Sequence, residues 1–542
     1  MEILTSFVKS TTSRPICRKR FDFQSLESRV MLAGMTVGIY AAQPDASETD
    51  PGGAGLGSFV VRRPTGSTAQ PLTLQYYLRS TSTASSGDDF APLKGTVTIP
   101  AGKRSAPIEL HPDDDLIHEA AESVTLALKT TALDVVHRSA TVMIEDNDSP
   151  APAGWWSSAE HYRLPVTVKA SGYARSDQPV ERQIDFTQVL ASMGQSGAVN
   201  PDSIRVVEVN SDGSKVLDNN VPFQFDRVSN FDASSNASGN LVFLLKGDTS
   251  GKAVRKFHVY FDTAADIPSA SVTQLVSITD NVLDQGMKSV RIRTQTATYY
   301  YQKLAGAFSS IVDNGGNDWI NWNPDDSPGS AGEFRGFPNM GTDSFHAGEN
   351  LGMKTVVVSQ GPLKATIETT SPAGDKVRWE FYPTFARMTV LEATQKYYVM
   401  YEGTPGGSVD NGDHIVRSNL KSTWIGKDFT QAGGMGAGNG EEWVYFRDPS
   451  VGTDGRYLFL AHNTADKIED SYWLMDNNMT VFGFGRHNNP NYAPPEKLLS
   501  GRNVFTIGIA DGGQDYSATR VAINGQYRAA TTTLGSVRAQ PA

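Results

Sequence analysis

Apolar residues in this chain recur at every second position, in short runs cut by glycine, aspartate and serine, and almost nowhere at helical spacing. Leu72-Thr73-Leu74-Gln75-Tyr76, Gly95-Thr96-Val97-Thr98-Ile99 and Val377-Arg378-Trp379-Glu380-Phe381 show the pattern. Such a run has one face to bury and two open backbone edges, so it persists only where edges pair and faces stack. The chain is therefore constrained to an all-β architecture of several sandwiches. Its 542 residues are too many for one such core. A single cysteine, Cys17, excludes an intrachain disulfide and a zinc cage. No apolar run approaches the roughly 20 residues of a membrane helix, so no transmembrane segment is expected. The formal net charge of −11 opposes phosphate backbones, so nucleic acid is not an expected partner.

Residues 1–34 read as a basic leader, with Lys9, Arg14, Arg18, Lys19 and Arg20 and only a short apolar burst. Within it, Leu26-Glu27-Ser28-Arg29-Val30-Met31-Leu32-Ala33 resembles the LEPRxLL motif of bacterial exported and surface proteins, with Ser28 and Met31 departing from the pattern. The resemblance implies an extracellular or cell-surface location.

Residues 35–148 alternate as short strands, and their acids gather in the loops: Glu48, Asp88 and Asp89, Asp113 to Asp115, Glu119, Glu122, Glu145, Asp146 and Asp148. Carboxylates this dense repel one another unless water or a cation intervenes, and Ca²⁺ takes six to eight oxygens. Gly87-Asp88-Asp89-Phe90, the run Gly95 to Gly102, Asp114-Asp115 with Glu119 and Glu122, and Ile144-Glu145-Asp146-Asn147-Asp148 together resemble a Calx-beta domain. That resemblance implies an immunoglobulin-like sandwich with structural Ca²⁺ at one end. Carried onto this chain, the implied ligands are Glu48, Asp89, Asp114, Asp115, Glu122, Asp146 and Asp148. A Pro/Ala linker, 149–154, closes the module.

Residues 155–272 read as a second β-sandwich with one short helix within 185–193. Residues 273–530 form a β-rich stretch too long for a simple sandwich, followed by a flexible tail, 531–542. The layout of the large stretch resembles the galactose-mutarotase-like supersandwiches of polysaccharide lyases and glycosidases. That resemblance is one of pattern and size, without a motif.

Strand parity sorts its side chains. Val377, Trp379 and Phe381 share one face; Arg378, Glu380 and Tyr382 share the other. Tyr397, Val399 and Tyr401 point inward, leaving Tyr398, Met400 and Glu402 outward. The long loop 313–350 adds Trp319 and Trp322 to stack on sugar rings and Asn321 to hydrogen-bond them, with Arg335 and His346. Elimination from a uronate needs a countercharge for the carboxylate and a base for the C5 proton, roles open to Arg335, Arg378, Asn321, His346 and Tyr398. Hydrolysis needs two flanking carboxylates, with Glu380, Glu402 and the pair Glu441-Glu442 as candidates. The candidate catalytic set is His346, Tyr398, Arg378, Arg335 and Glu380; the substrate-binding set is Trp319, Asn321, Trp322 and Glu402. The glycine-dense run 433–440 lacks the lysine and the strand-to-helix setting of a phosphate loop. The expectation is an exported protein that engages polysaccharide or cell-surface glycan, elimination being favoured over hydrolysis. The alternative is a non-catalytic adhesion or matrix protein.

Overall fold

The computed structural model describes residues 35–48, 55–115, 117–130, 133–151, 154–265, 267–324, 331–340, 345–349, 351–428, 432–487 and 496–541. The leader 1–34, with Cys17 and the LEPRxLL-like run, lies outside the described residues, as do linker residues 152 and 153. The described chain is nearly all β, with short helices at Phe186–Ala191, Ala331–Phe334 and Tyr516–Tyr527. It divides into two compact units, Met1–Ser149 and Pro150–Ala542.

In the first unit a four-stranded and a five-stranded sheet enclose Phe59, Val61, Ile99, Leu110, Val124, Leu126 and Ile144. Period-2 burial is literal here: in Ser105–Leu110 only Ala106, Ile108 and Leu110 face the core. The first strand, Thr36–Gln43, belongs to one sheet and the next, Asp45–Ser47, to the other. Pro44 stands at the switch, where its missing N–H costs no ladder bond. The crossing runs Asp45–Ser47 parallel to Ser139–Glu145 and sets the Glu48 amide on the Glu145 carbonyl at 3.1 Å.

The second unit opens with a module of a six-stranded and a three-stranded sheet around Phe186, Ile204, Leu241, Phe243 and Phe257. Its helix, Phe186–Ala191, is capped by Asp185, whose Oδ1 accepts from the Gln188 amide at 3.1 Å. Residues 531–541 are not a flexible tail. Thr531–Leu534 and Arg538–Ala539 pair antiparallel with Tyr162–Lys169 and close that sheet. The Thr-rich alternation suits a strand, and Leu534 packs against the module core.

The large part consists, among the described residues, of two nine-stranded sheets. Between them lies one core that includes Tyr299, Phe308, Trp319, Trp379, Tyr401, Phe446 and Phe482. The parity reading holds on both strands it addressed. Val377, Trp379 and Phe381 face this core, and so do Tyr397, Val399 and Tyr401. The two strands, Lys376–Phe381 and Val399–Gly403, belong to different sheets, however. Their outward faces therefore look to opposite sides of the sandwich. Lys364, on the Lys376–Phe381 side, bonds back to the preceding module. Its Nζ lies 2.8 Å from Asp226 Oδ2 and 3.5 Å from Glu181 Oε2.

Candidate functional site

The strand switch at Pro44 and the loop after Ser139–Glu145 bring acids together at one end of the first unit. Carboxylate oxygens of Glu48, Asp146 and Asp148 lie within 4.8 Å of one another, and so do those of Asp89, Glu119 and Glu122. Backbone amides orient several of them. Asp146 Oδ2 accepts from Glu119 N and its Oδ1 from Asp148 N, both at 2.8 Å; Asp115 Oδ1 accepts from Ile117 N at 2.7 Å. Asp114 Oδ1 accepts from Asn147 Nδ2 at 3.0 Å. Among the described residues the one ion pair in the group is His118 Nδ1 with Asp146 Oδ2, at 2.6 Å.

The result is an excess of unneutralised charge. Burial, then repulsion from Asp115 and Asp146, pushes Glu48 up to about 8. Burial also leads in raising Asp115 and Asp148 to about 6 and Glu122 to about 7. Glu122 Oε2 and Asp148 Oδ2 are buried with no hydrogen-bond partner. All-oxygen donors, preoriented and mutually repelling, fit a hard divalent ion such as Ca²⁺. Asp114 and Asp115 fall outside both trios. Glu119, which the sequence reading left out of the ligand set, falls inside one.

The second site lies on the outward face of Val399–Gly403. Tyr398, Met400, Met479 and Val481 make an apolar floor there, with Ala331 from the short helix and Trp473 beside it. Glu402 projects from the same face; its Oε2 accepts from Asn339 Nδ2 at 2.9 Å and lies 3.7 Å from His346 Nε2. His346 Nδ1 sits 2.7 Å from the Ala347 carbonyl. A carbonyl only accepts, so Nδ1 donates to Ala347 and Nε2 is the ring nitrogen turned towards Glu402. Burial raises the Glu402 carboxyl and the Tyr398 phenol, both towards the neutral form. Phe334, 38% exposed, stands edge-on to His346 at 6.4 Å between ring centroids. Arg486, absent from the sequence-based set, lies across the floor.

The other sequence candidates sit elsewhere or are already engaged. Arg378 is ion-paired with Glu368, its Nε 2.8 Å from Oε1, and Glu380 faces Lys364 and Arg387. Both are on the opposite side of the sandwich from Tyr398. Arg335 is buried, donating to the carbonyls of Asn321 at 2.8 Å and Asn478 at 2.9 Å. Trp319 and Trp322 offer no stacking face, because both indoles are buried in the core. Their N–H groups reach Asp313 Oδ2 at 3.1 Å and the Glu333 carbonyl at 3.0 Å, which permits full burial of the rings. Asn321 shapes a turn at φ 56°, its Nδ2 donating to the Gly407 carbonyl. Among the described residues no helix is long and apolar enough to cross a membrane.

No family model matches the chain, and no curated protein matches it. Solved structures do resemble it. An alpha-mannosidase from Enterococcus faecalis V583 aligns at 11% identity over 70% of this chain, with a TM-score of 0.39. The chain spans 46% of that protein's length. An apo-form Calx CBD1 domain aligns at 26% identity over 21% of this chain and 98% of its own, with a TM-score of 0.18. An alpha-galactosidase from Lactobacillus brevis aligns at 10% identity over 43% of this chain and 40% of its own, with a TM-score of 0.27. At such TM-scores these likenesses carry no argument, and the functional reading rests on the chain's own residues.

Proposed function

We propose that this is an exported protein that engages polysaccharide on the outward face of Val399–Gly403 and carries a Ca²⁺-binding N-terminal sandwich. The observation behind the glycan reading is the pairing of a polar set, Glu402, His346, Asn339 and Tyr398, with the partly exposed aromatics Phe334 and Trp473. Aromatic rings pack against the apolar faces of pyranoses, while the polar groups take hydroxyls. Elimination suits this set better than hydrolysis. Glu380 lies across the sandwich from Glu402, and Glu442 is ion-paired with Arg417, so neither pairs with Glu402 across a glycosidic bond.

In the elimination, His346 Nε2 takes the C5 proton of a uronate. The freed electron pair forms the C4–C5 double bond as the C4–O bond breaks, and the leaving oxygen takes its proton from the Tyr398 hydroxyl. The burial of Tyr398 favours the rival reading, a glycan-binding adhesion protein without bond cleavage. Ultraviolet absorbance of the unsaturated uronate product distinguishes the two. Polygalacturonate incubated with the protein gains that absorbance, and Tyr398→Phe lowers the rate by about 100-fold or more with an unchanged melt. A polymer bound but left intact supports adhesion; no binding to any glycan removes the reading.

The N-terminal sandwich holds Ca²⁺ through Glu48, Asp146 and Asp148, with Asp89, Glu119 and Glu122 as a second trio. The ion supplies the positive charge these carboxylates lack and ties the strand switch at Pro44 to the loop after Ser139–Glu145. Extracellular fluid supplies Ca²⁺ at the concentrations such sites use.

A further inference from the structure

Arg486 is 4% exposed, and its Nε and Nη1 are buried with no hydrogen-bond partner. Other buried or half-buried arginines of this unit are engaged: Arg417 with Glu442 and Asp470, Arg456 with Asp313 and Asp511, Arg387 with Glu181. Among the described residues no carboxylate lies within ion-pair distance of Arg486. A buried guanidinium without a counterion is costly and persists where something else offsets the cost.

Its placement says what that is. Gly483, directly opposite Met400 in the ladder, is where Arg486 crosses the sheet: a Cβ there would stand 2.7 Å from Arg486 Cβ and 2.9 Å from its Cδ. Only a residue without a side chain lets the arginine lie over the floor between Tyr398 and Glu402. The indole of Trp473 stacks against the guanidinium, 5.9 Å from ring centroid to Cζ. Glu402 is the nearby acid, but Asn339 holds it and burial favours its neutral form. Among the described residues, then, no counterion for Arg486 lies at the site.

We infer that Arg486 receives the anionic group of the ligand, a uronate carboxylate, and so selects acidic over neutral polysaccharide at this face. The inference rests on the glycan reading above and adds the residue that receives the carboxylate and so sets the preference for acid. In an elimination the same contact neutralises the carboxylate next to the carbon that loses its proton, where negative charge develops. Arg486 also suits the role by shape, since a planar guanidinium matches a planar carboxylate better than an ammonium does.

Calorimetric titration of the full chain with an oligogalacturonate and with its methyl ester tests this, because the two share a backbone and differ in charge. The wild type binds the acid about tenfold or more tighter than the ester. Arg486→Gln loses that preference, with ester affinity held within about twofold, and Arg486→Lys recovers part of it. Equal wild-type affinity for acid and ester overturns the inference without any variant, and so does an Arg486→Gln protein that keeps the preference. A wild type that binds neutral galactan but not the acid overturns the inference and leaves the glycan reading standing. A wild type that binds no glycan removes both.

Discussion

Removing Ca²⁺ from the full chain gives the acidic end of the first unit a measurable signature. Without the ion, Glu48, Asp115, Glu122 and Asp148 each have a folded-state value above the ordinary carboxylate range, at about 8, 6, 7 and 6. The folded unit then holds protons that the unfolded chain releases. Its stability in chelator is greatest below the unfolded values and falls as pH climbs from about 4.5 to 8. Raising Glu48 alone from 4.5 to about 8 corresponds to about 5 kcal/mol at ~1.4 kcal/mol per pH unit, an upper bound that loop relaxation and water reduce. Ca²⁺ at a hundred times its Kd adds ~2.7 kcal/mol, which for a domain of roughly 100 residues is a rise of about 10–20 °C in Tm. Scanning calorimetry of the full chain, with chelator and with millimolar Ca²⁺ at pH 5 and pH 8, reads both effects. One transition falls from pH 5 to pH 8 in chelator and rises sharply with Ca²⁺ at pH 8. Glu48→Gln marks that transition: in chelator at pH 8 it melts no lower than wild type, and it loses most of the Ca²⁺ response. A chelator melt that rises from pH 5 to pH 8, or a pH 8 scan unmoved by Ca²⁺, refutes the reasoning.

Two further outcomes test the layout of the second unit. Arg378→Ala, which breaks a half-exposed ion pair with Glu368 on the far side of the sandwich, shifts stability by about 0.5 kcal/mol and leaves polysaccharide turnover unchanged; loss of turnover would place Arg378 at the site after all. Deleting residues 531–542 uncovers the edge of Tyr162–Lys169 and the core contact of Leu534, lowering the melt and promoting self-association visible in light scattering. An unchanged melt would mean these strands add nothing.

Much of this was legible because alternation is a local property. Parity alone placed Tyr398, Met400 and Glu402 on one face and their neighbours in the core. What parity cannot carry is sheet membership: Lys376–Phe381 and Val399–Gly403 both point polar groups outward, but across non-local pairings that put those groups on opposite sides. Charge density pointed to the acidic end, while the exchange of Asp114 and Asp115 for Glu119 depends on how loops fold back. Trp319 and Trp322 looked like a binding platform because their loop is polar. Their rings are buried because Asp313 and the Glu333 carbonyl satisfy the indole N–H groups. Arg486 gave no sequence signal, since its meaning comes from a glycine opposite Met400 and from the absence of an ion-pair partner among the described residues.

The pairing of Tyr162–Lys169 with Thr531–Leu534 sets a timetable for biosynthesis. Ser171 and Thr531, bonded at 2.8 Å, are 360 residues apart in the chain. A ribosome adding about 5–20 residues per second leaves that edge uncovered for tens of seconds. Over that interval the module carries an open strand edge, the feature that templates aggregation. A chain threaded through a secretion channel and kept unfolded until its C-terminal strands emerge avoids the exposure. Cytosolic overexpression does not, and co-expression with a holdase chaperone is the condition under which soluble protein is to be expected.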